Sequence, residues 1–269
     1  MIHSRDNPRV KHLRRLRHDR RLREERGEAL LEGPHLIEAG LRAGLDAFDA
    51  YVTPRFAASG HPVLGALLEP PTQVAEAVLH ELADADSPRG IVAAARLPAA
   101  RLEDWRRRAQ GDALSDRPLL VVDGLQDPGN LGALARVAEA AGAGLLALAP
   151  GTVDWRHPRA LRASTGSLLR LPVLSQVPLE SLRDALSPAR PSWVGLAPHG
   201  GEPLWDCRDL AGGPLVLVLG AEGRGLSGGA AALLDVTVTI PMVAPVESIN
   251  ATAAAAVVLF ELARRRALR

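Results

Sequence analysis

Three segments between residues 127 and 250 of the 269-residue chain hold the residue types that could do chemistry. Asp127-Pro128-Gly129-Asn130-Leu131-Gly132 runs on to Arg136; Gly220-Ala221-Glu222-Gly223-Arg224-Gly225 comes later; Ile240-Pro241-Met242 then leads to Glu247-Ser248-Ile249-Asn250. Each stands where an apolar run gives way to a turn or a helix, which is where open α/β sheets build ligand sites. In the first, Asp127 or Asn130 can cap the helix that follows. In the second, three glycines let the backbone turn tightly and approach a ligand closely. Their order, G-x-x-G-x-G late in the chain, is not the G-x-G-x-x-G that opens a dinucleotide-binding βαβ unit. A nicotinamide-dependent oxidoreductase is therefore disfavoured. In the third, Pro241 and Pro245 restrict a loop, and Ser248 or Asn250 can cap the long helix after it. Trp155, His157, Trp205 and Cys207 show neither metal-ligand nor triad spacing, and the histidines are scattered, so no zinc site is indicated.

The elements that must position these segments alternate regularly. Strands are expected over 119–122, 145–149, 193–197, 215–219 and 236–240, with helices over 130–141, around 181–186 and over 248–266. Buried strands separated by helices imply a mostly parallel sheet covered on both faces. The first part of the chain reads as a smaller α/β unit. It has strands near 30–34, 47–52 and 91–95, and helices over 35–43 and from Thr72 to about residue 82. Residues 7–26 read as one basic helix with a thin apolar stripe of Val10, Leu13, Leu16 and Leu22. Residues 98–117 read as a linker, partly helical around Trp105, with Arg106-Arg107-Arg108 on a solvated face.

Composition narrows the class. Hydrophobic residues make up 47% and charged residues 23%, the balance of a globular protein with a substantial core. Net charge is only +1, yet residues 1–26 carry ten basic residues against four acidic ones. A basic arm on a mildly acidic body suggests a polyanion reached through one end. Cys207 is the single cysteine, which rules out an intrachain disulfide and fits a reducing compartment. With no signal-type apolar region and no run of about 18 apolar residues, a cytoplasmic protein without a membrane span is expected.

In this order the three segments resemble the motifs of the SpoU/TrmH family, SPOUT-class RNA methyltransferases that use S-adenosylmethionine to methylate the ribose 2′-hydroxyl. The resemblance spans nearly the whole chain. Glu32-Gly33-Pro34-His35 and Ser87-Pro88-Arg89-Gly90 are similar to the N-terminal substrate-binding domain of many members. The resemblance implies an α/β fold: a C-terminal domain (118–269) with a trefoil-knotted, mostly parallel sheet, and a small RNA-binding domain (1–97). It implies Asn130, Arg136, Glu222, Ser248 and Asn250 as catalytic or polar site residues. Leu219, Gly220, Ile240, Met242 and Ile249 would be cofactor contacts, and Arg14, Arg15, Arg136 and Ser167 would be RNA contacts. An arginine stays protonated at neutral pH, so Arg136 would act through fixed positive charge beside the reacting hydroxyl. A productive arrangement needs Asn130 in the turn and Arg136 on the helix. The chain departs from the pattern at Ala244, where glycine is common; alanine would be strained there if the position needed positive φ. Thr252 keeps the hydroxyl of a common serine. A homodimer through the C-terminal domain is implied. Ribosomal RNA is the expected substrate, with transfer RNA the alternative and a non-catalytic RNA-binding protein the rival class.

Overall fold

The computed structural model describes residues 2, 6–85, 87–111, 114, 117–208, 210 and 213–268. The chain divides into two compact units, one of residues 1–98 with 154–170, the other of 99–153 with 171–269.

The first unit is built, among the described residues, on four strands, β1 (Glu28–Glu32), β2 (Ala47–Val52), β3 (Thr72–Gln73) and β4 (Ile91–Arg96). Their order is β1-β4-β2-β3, with β4 antiparallel to both neighbours and β3 parallel to β2. Side chains alternate between the faces of a strand. Leu30, Val92 and Ala94 accordingly share a core with Val10, Leu13, Leu16, Val78, Leu79 and Leu82. The apolar stripe in the basic segment is thus a core-facing stripe. The segment is two helices, Pro8–His18 and Arg20–Arg26, rather than one. Asp19 interrupts it: its backbone is extended, and its carboxylate accepts from Leu22 N–H to cap the second helix. On the other face of the sheet, helices Pro34–Arg42 and Pro158–Ser164 pack against β1.

That second helix marks a departure from the expected boundaries. Residues 154–170 interrupt the C-terminal domain in sequence yet fold with the first unit. A buried ion pair holds them there: Arg23 Nε donates to Asp154 at 2.6 Å, both side chains being at most 3% exposed. Arg23 Nη1 also donates to the carbonyls of Leu16 and Arg17.

The second unit is a seven-stranded sheet among the described residues: β5 (Leu119–Val122), β6 (Leu145–Leu148), β7 (Val173–Leu174), β8 (Ser192–Leu196), β9 (Glu202–Pro203), β10 (Leu215–Leu219) and β11 (Val236–Thr239). The order is β7-β6-β5-β10-β8-β11-β9, and each neighbouring pair runs parallel. The central strands β5, β6 and β10 are buried throughout, as a sheet with covered faces requires. One face presents Leu119, Val121, Val216 and Val218 to a core that includes Trp105, Leu182 and Trp193. The expected linker therefore belongs to this unit. Helix Leu102–Gln110 buries Trp105 and Ala109 in the core. Arg106–Arg108 stay exposed, with Arg106 near Glu103, Arg107 bonded to Asp104 and Arg108 over the Trp105 ring. Linker residues 112, 113, 115 and 116 lie outside the described residues. Helix Ala251–Ala267 packs along helix Pro128–Ala140. No helix among the described residues is long and apolar enough to cross a membrane.

Candidate active site

Because the strands are parallel, the carboxyl ends of β5, β8, β10 and β11 share one edge of the sheet. All three chemistry-bearing segments leave from that edge. The chain passes from β5 outward through β6 and β7, then returns to the far side of β10 as β8. This reversal of strand order is where such sheets open a crevice.

The first segment starts a helix earlier than its sequence suggested. Asp127 is the N-cap, accepting from Asn130 N–H at 2.8 Å, and Pro128 occupies the first helical turn. Asn130 is therefore already helical. At about 100° per residue, Arg136 stands roughly 120° around the helix from Asn130. Arg136 is exposed, has no ion pair among the described residues, and does not line the cleft described below. The arrangement with Asn130 in the turn is not the one adopted, and Arg136 is not among the residues that line the cleft.

The second segment is a tight hairpin. Ala221 and Gly225 exchange backbone hydrogen bonds of 3.0 and 2.9 Å. A Cβ at position 220 would lie 2.1 Å from the Gly225 carbonyl carbon, so no residue but glycine fits. Gly223 and Gly225 take positive φ, which glycine alone adopts without cost. The hairpin carries Glu222 out from the end of β10.

In the third segment, residues 240–250 have no regular structure until Asn250 caps helix Ala251–Ala267. Asn250 Oδ1 accepts from Thr252 and Ala253 N–H. Ala244 precedes Pro245 and is not among the positive-φ residues, so the strain anticipated there does not arise.

These pieces meet at one carboxylate. Asn130 Nδ2 and Asn250 Nδ2 each donate to Glu222 Oε1 at 2.8 Å. A carboxylate only accepts, so this network fixes both amides with nitrogen toward Glu222. Two groups remain without a hydrogen bond among the described residues: Glu222 Oε2 and Asn130 Oδ1. Thr252 Oγ1 donates to the Asn130 carbonyl at 3.4 Å, a further tie between first and third segments.

Glu222 and Asn250 stand in the wall of a cleft of about 460 Å3. The cleft is also lined by Leu219, Gly220, Ile240, Met242, Ser248 and Ile249, so every expected cofactor contact faces one space. Its size and its mix of apolar walls with a few polar groups are those of a small-molecule site. Sequence reasoning missed Leu196, Ala197 and Pro198 at the end of β8, and Ala254 one helical turn beyond Asn250. The expected end of a strand at 197 and the i,i+4 spacing were the available signals. It also missed Asp123, 8% exposed, whose Oδ2 accepts from Ser227 N–H at 2.8 Å and ties the β5 end to the chain beyond the hairpin.

The expected RNA contacts fare less uniformly. Arg14 donates to Glu81 at 2.8 Å and Arg15 to Asp19 at 3.2 Å, so both are engaged within the first unit. Ser167 is 2% exposed at the start of helix Ser167–Arg170. Its expected contact with RNA is withdrawn, since a side chain without accessible surface has no face to offer.

Fold and site together define an α/β enzyme with a small-molecule cleft at the carboxyl edge of a parallel sheet. The chain matches the SpoU rRNA methylase family over residues 117–260 and an MRM3-like substrate binding domain over residues 7–93. It belongs to the SpoU rRNA methylase family. An uncharacterized tRNA/rRNA methyltransferase of Synechocystis is 33% identical over 98% of this chain and 94% of its own. The 23S rRNA (guanosine(2553)-2′-O)-methyltransferase RlmP of Bacillus subtilis is 27% identical over 97% of this chain and 98% of its own. The crystal structure of the SpoU methyltransferase AviRb from Streptomyces viridochromogenes in complex with AdoMet matches with a TM-score of 0.82 at 29% identity, covering 97% of this chain and 98% of that one.

Proposed function

We propose that this protein transfers a methyl group from S-adenosylmethionine to a ribose 2′-hydroxyl of ribosomal RNA. Family membership makes it an RNA 2′-O-methyltransferase with S-adenosylmethionine as cofactor. The observation that carries the reading at the level of residues is the convergence of Asn130 and Asn250 on Glu222 beside the cleft. Ribosomal RNA is preferred to transfer RNA because RlmP, similar over nearly the full length, is named a 23S rRNA enzyme.

The residues present fit the cofactor. Leu219, Ile240, Met242 and Ile249 give apolar walls for flat rings and a methylene chain, and Gly220 keeps the backbone close. When bound, S-adenosylmethionine supplies an electrophilic methyl on a cationic sulfonium. The free Oε2 of Glu222 would favour that positive charge, and Ser248 adds a polar lining group. Asn130 Oδ1, free once Nδ2 is committed to Glu222, would accept from the ribose hydroxyl and aim its oxygen. Arg136 would place fixed positive charge where the oxygen becomes anionic. Catalysis then rests on alignment and charge placement, without a covalent intermediate. The same requirement selects RNA over DNA, because only RNA has the hydroxyl.

The working unit in this reading is a homodimer. Val243, Val246, Ile249 and Phe260 are large apolar residues left exposed around the cleft loop and on the last helix, and exposed apolar surface marks interaction sites. A second copy would cover them, and Arg136, which does not line the cleft of its own chain, would serve that of the other copy. The trefoil knot is part of the proposal. It is supported by the path from β11, on one flank, back to a helix packed on Pro128–Ala140, which follows the more central β5. The cytoplasm is the proposed location, with the first unit holding structured RNA.

The test is methyl transfer from radiolabelled S-adenosylmethionine to total RNA from cells lacking the gene, comparing wild type with Arg136→Ala. Label in RNA of ribosomal size, lost in the variant, is the expected result. Cofactor binding and RNA binding without label in any RNA would favour the non-catalytic RNA-binding protein.

A further inference from the structure

The first unit contains a cavity of about 260 Å3 that methyl transfer does not use. Three separated stretches build it: the end of β1 with the start of helix Pro34–Arg42, residues 83–85 with 87–92, and the end of helix Pro158–Ser164. Leu36, Ile91 and Val92 give it apolar walls. Glu32 is the buried acid in its lining, with a side chain only 6% exposed. That carboxylate accepts from Asp84 N–H at 2.6 Å, from Ala85 N–H at 3.2 Å and from Arg162 Nη1 at 3.1 Å. Arg162 Nη2 also donates to Asp84 at 3.0 Å, so one guanidinium bridges the two acids, while burial pushes the Glu32 carboxyl above its ordinary range. The surface-exposed lining residues are different in kind. His35, Ser87 and Arg89 are exposed, and Arg89 has no ion pair among the described residues. Its side-chain carbons lie over Gly33, 3.6 Å from where a Cβ would stand.

We propose that this cavity receives one unstacked nucleobase of the RNA substrate, with Arg89 and His35 at its mouth meeting the adjoining backbone. The inference rests on the RNA-methylation reading and assigns a substrate-recognition subsite to the first unit. A nucleobase has apolar faces and a hydrogen-bonding edge, and proteins read RNA sequence chiefly from bases splayed out of the stack. Leu36, Ile91 and Val92 suit the faces, Glu32 suits an edge carrying N–H donors, and the guanidinium at the mouth suits phosphate. The cavity also accounts for a buried carboxylate that is organised by three donors yet faces an open space.

The test measures binding of deproteinised ribosomal RNA, and separately of transfer RNA, by filter retention without cofactor over a salt series. Ser87→Phe changes no charge and blocks the cavity from an exposed position. It should raise Kd at least tenfold with an unchanged salt slope, an unchanged melting temperature and unchanged affinity for S-adenosylmethionine. Arg89→Ala should reduce the salt slope by about one, as loss of one phosphate contact does. Photocross-links from RNA containing 6-thioguanosine or 4-thiouridine should map to residues 32–36 or 83–92 and vanish in Ser87→Phe. Wild-type affinity in Ser87→Phe, or cross-links mapping elsewhere, overturns the inference while leaving the methylation reading intact. Wild-type protein that binds neither RNA overturns both.

Discussion

Glu222 organises the site because one of its oxygens takes two amide donors and the other, among the described residues, takes none. Removing it leaves both asparagines without their acceptor. Glu222→Ala should therefore lower kcat/KM for methyl transfer by roughly 10- to 100-fold, the worth of hydrogen bonds to a charged group, while the melting temperature barely moves at this exposed position. Asn130→Asp should be more damaging than Asn130→Ala. It keeps the shape but sets a second carboxylate against Glu222 Oε1 at hydrogen-bond distance, where like charges repel. Steady-state kinetics of the two variants decide this; equal losses would show that only the amide hydrogen bond matters and that the added charge costs nothing further. Arg136 teaches a different lesson. Its residue type suits the chemistry, but it does not line the cleft of its own chain.

At the scale of elements, the glycine hairpin and the last helix fix where Glu222 and Asn250 stand. Gly220→Ala would force a Cβ into the Gly225 backbone, and overpacking of this kind costs about 1–3 kcal/mol. The expected outcome is loss of S-adenosylmethionine binding by calorimetry, with circular dichroism showing the sheet intact. The last helix is tied down by Glu261, which accepts from Arg264 at 2.8 Å and from Arg265 at 2.7 Å. Arg265 in turn donates to the carbonyls of Leu204, Trp205 and Cys207. These hydrogen bonds, from Arg264 first and then Arg265, hold the Glu261 carboxyl down at about 2. A carboxylate depressed in the folded state stabilises above its unfolded pKa and loses that contribution as pH falls through its folded one. The stability gap between wild type and Glu261→Gln should be constant above about pH 5 and close toward pH 2, as measured by urea unfolding.

At the scale of the whole molecule, a segment from the middle of the chain completes the first unit. The buried Arg23–Asp154 pair fastens it, and breaking such a pair leaves one buried charge uncompensated, at a cost of about 3–5 kcal/mol. Asp154→Ala should destabilise the full chain by that order in urea unfolding; a change under about 1 kcal/mol would mean that apolar packing alone holds residues 154–170. The proposed dimer makes a separate prediction. Mixed and re-annealed Arg136→Ala and Glu222→Ala proteins should recover activity that neither has alone, because a hybrid dimer restores one intact site. No recovery, with exchange verified by mass, would place Arg136 in the service of its own chain.

Local pattern was enough for much of this molecule. Apolar runs of 4–5 residues bounded by turn residues gave the central strands β5, β6 and β10, since burial on both faces imposes continuous hydrophobicity. The glycine order at 220–225 and the prolines at 241 and 245 marked the cleft loops, because backbone constraint is written in those residue types. Tertiary structure alone decided the rest. Asp19 splits the basic segment, and Glu81, Asp49 and Asp154 engage arginines that looked available in sequence; ion-pair partners dozens of residues away leave no local trace. Trp105 is a core residue of the second unit and Ser167 a buried one of the first, because burial depends on what packs against a residue rather than on its neighbours in sequence. The meeting of Asn130, Glu222 and Asn250 spans as many as 120 residues, and only the parallel sheet, which brings the ends of its strands to one edge, puts them within 2.8 Å.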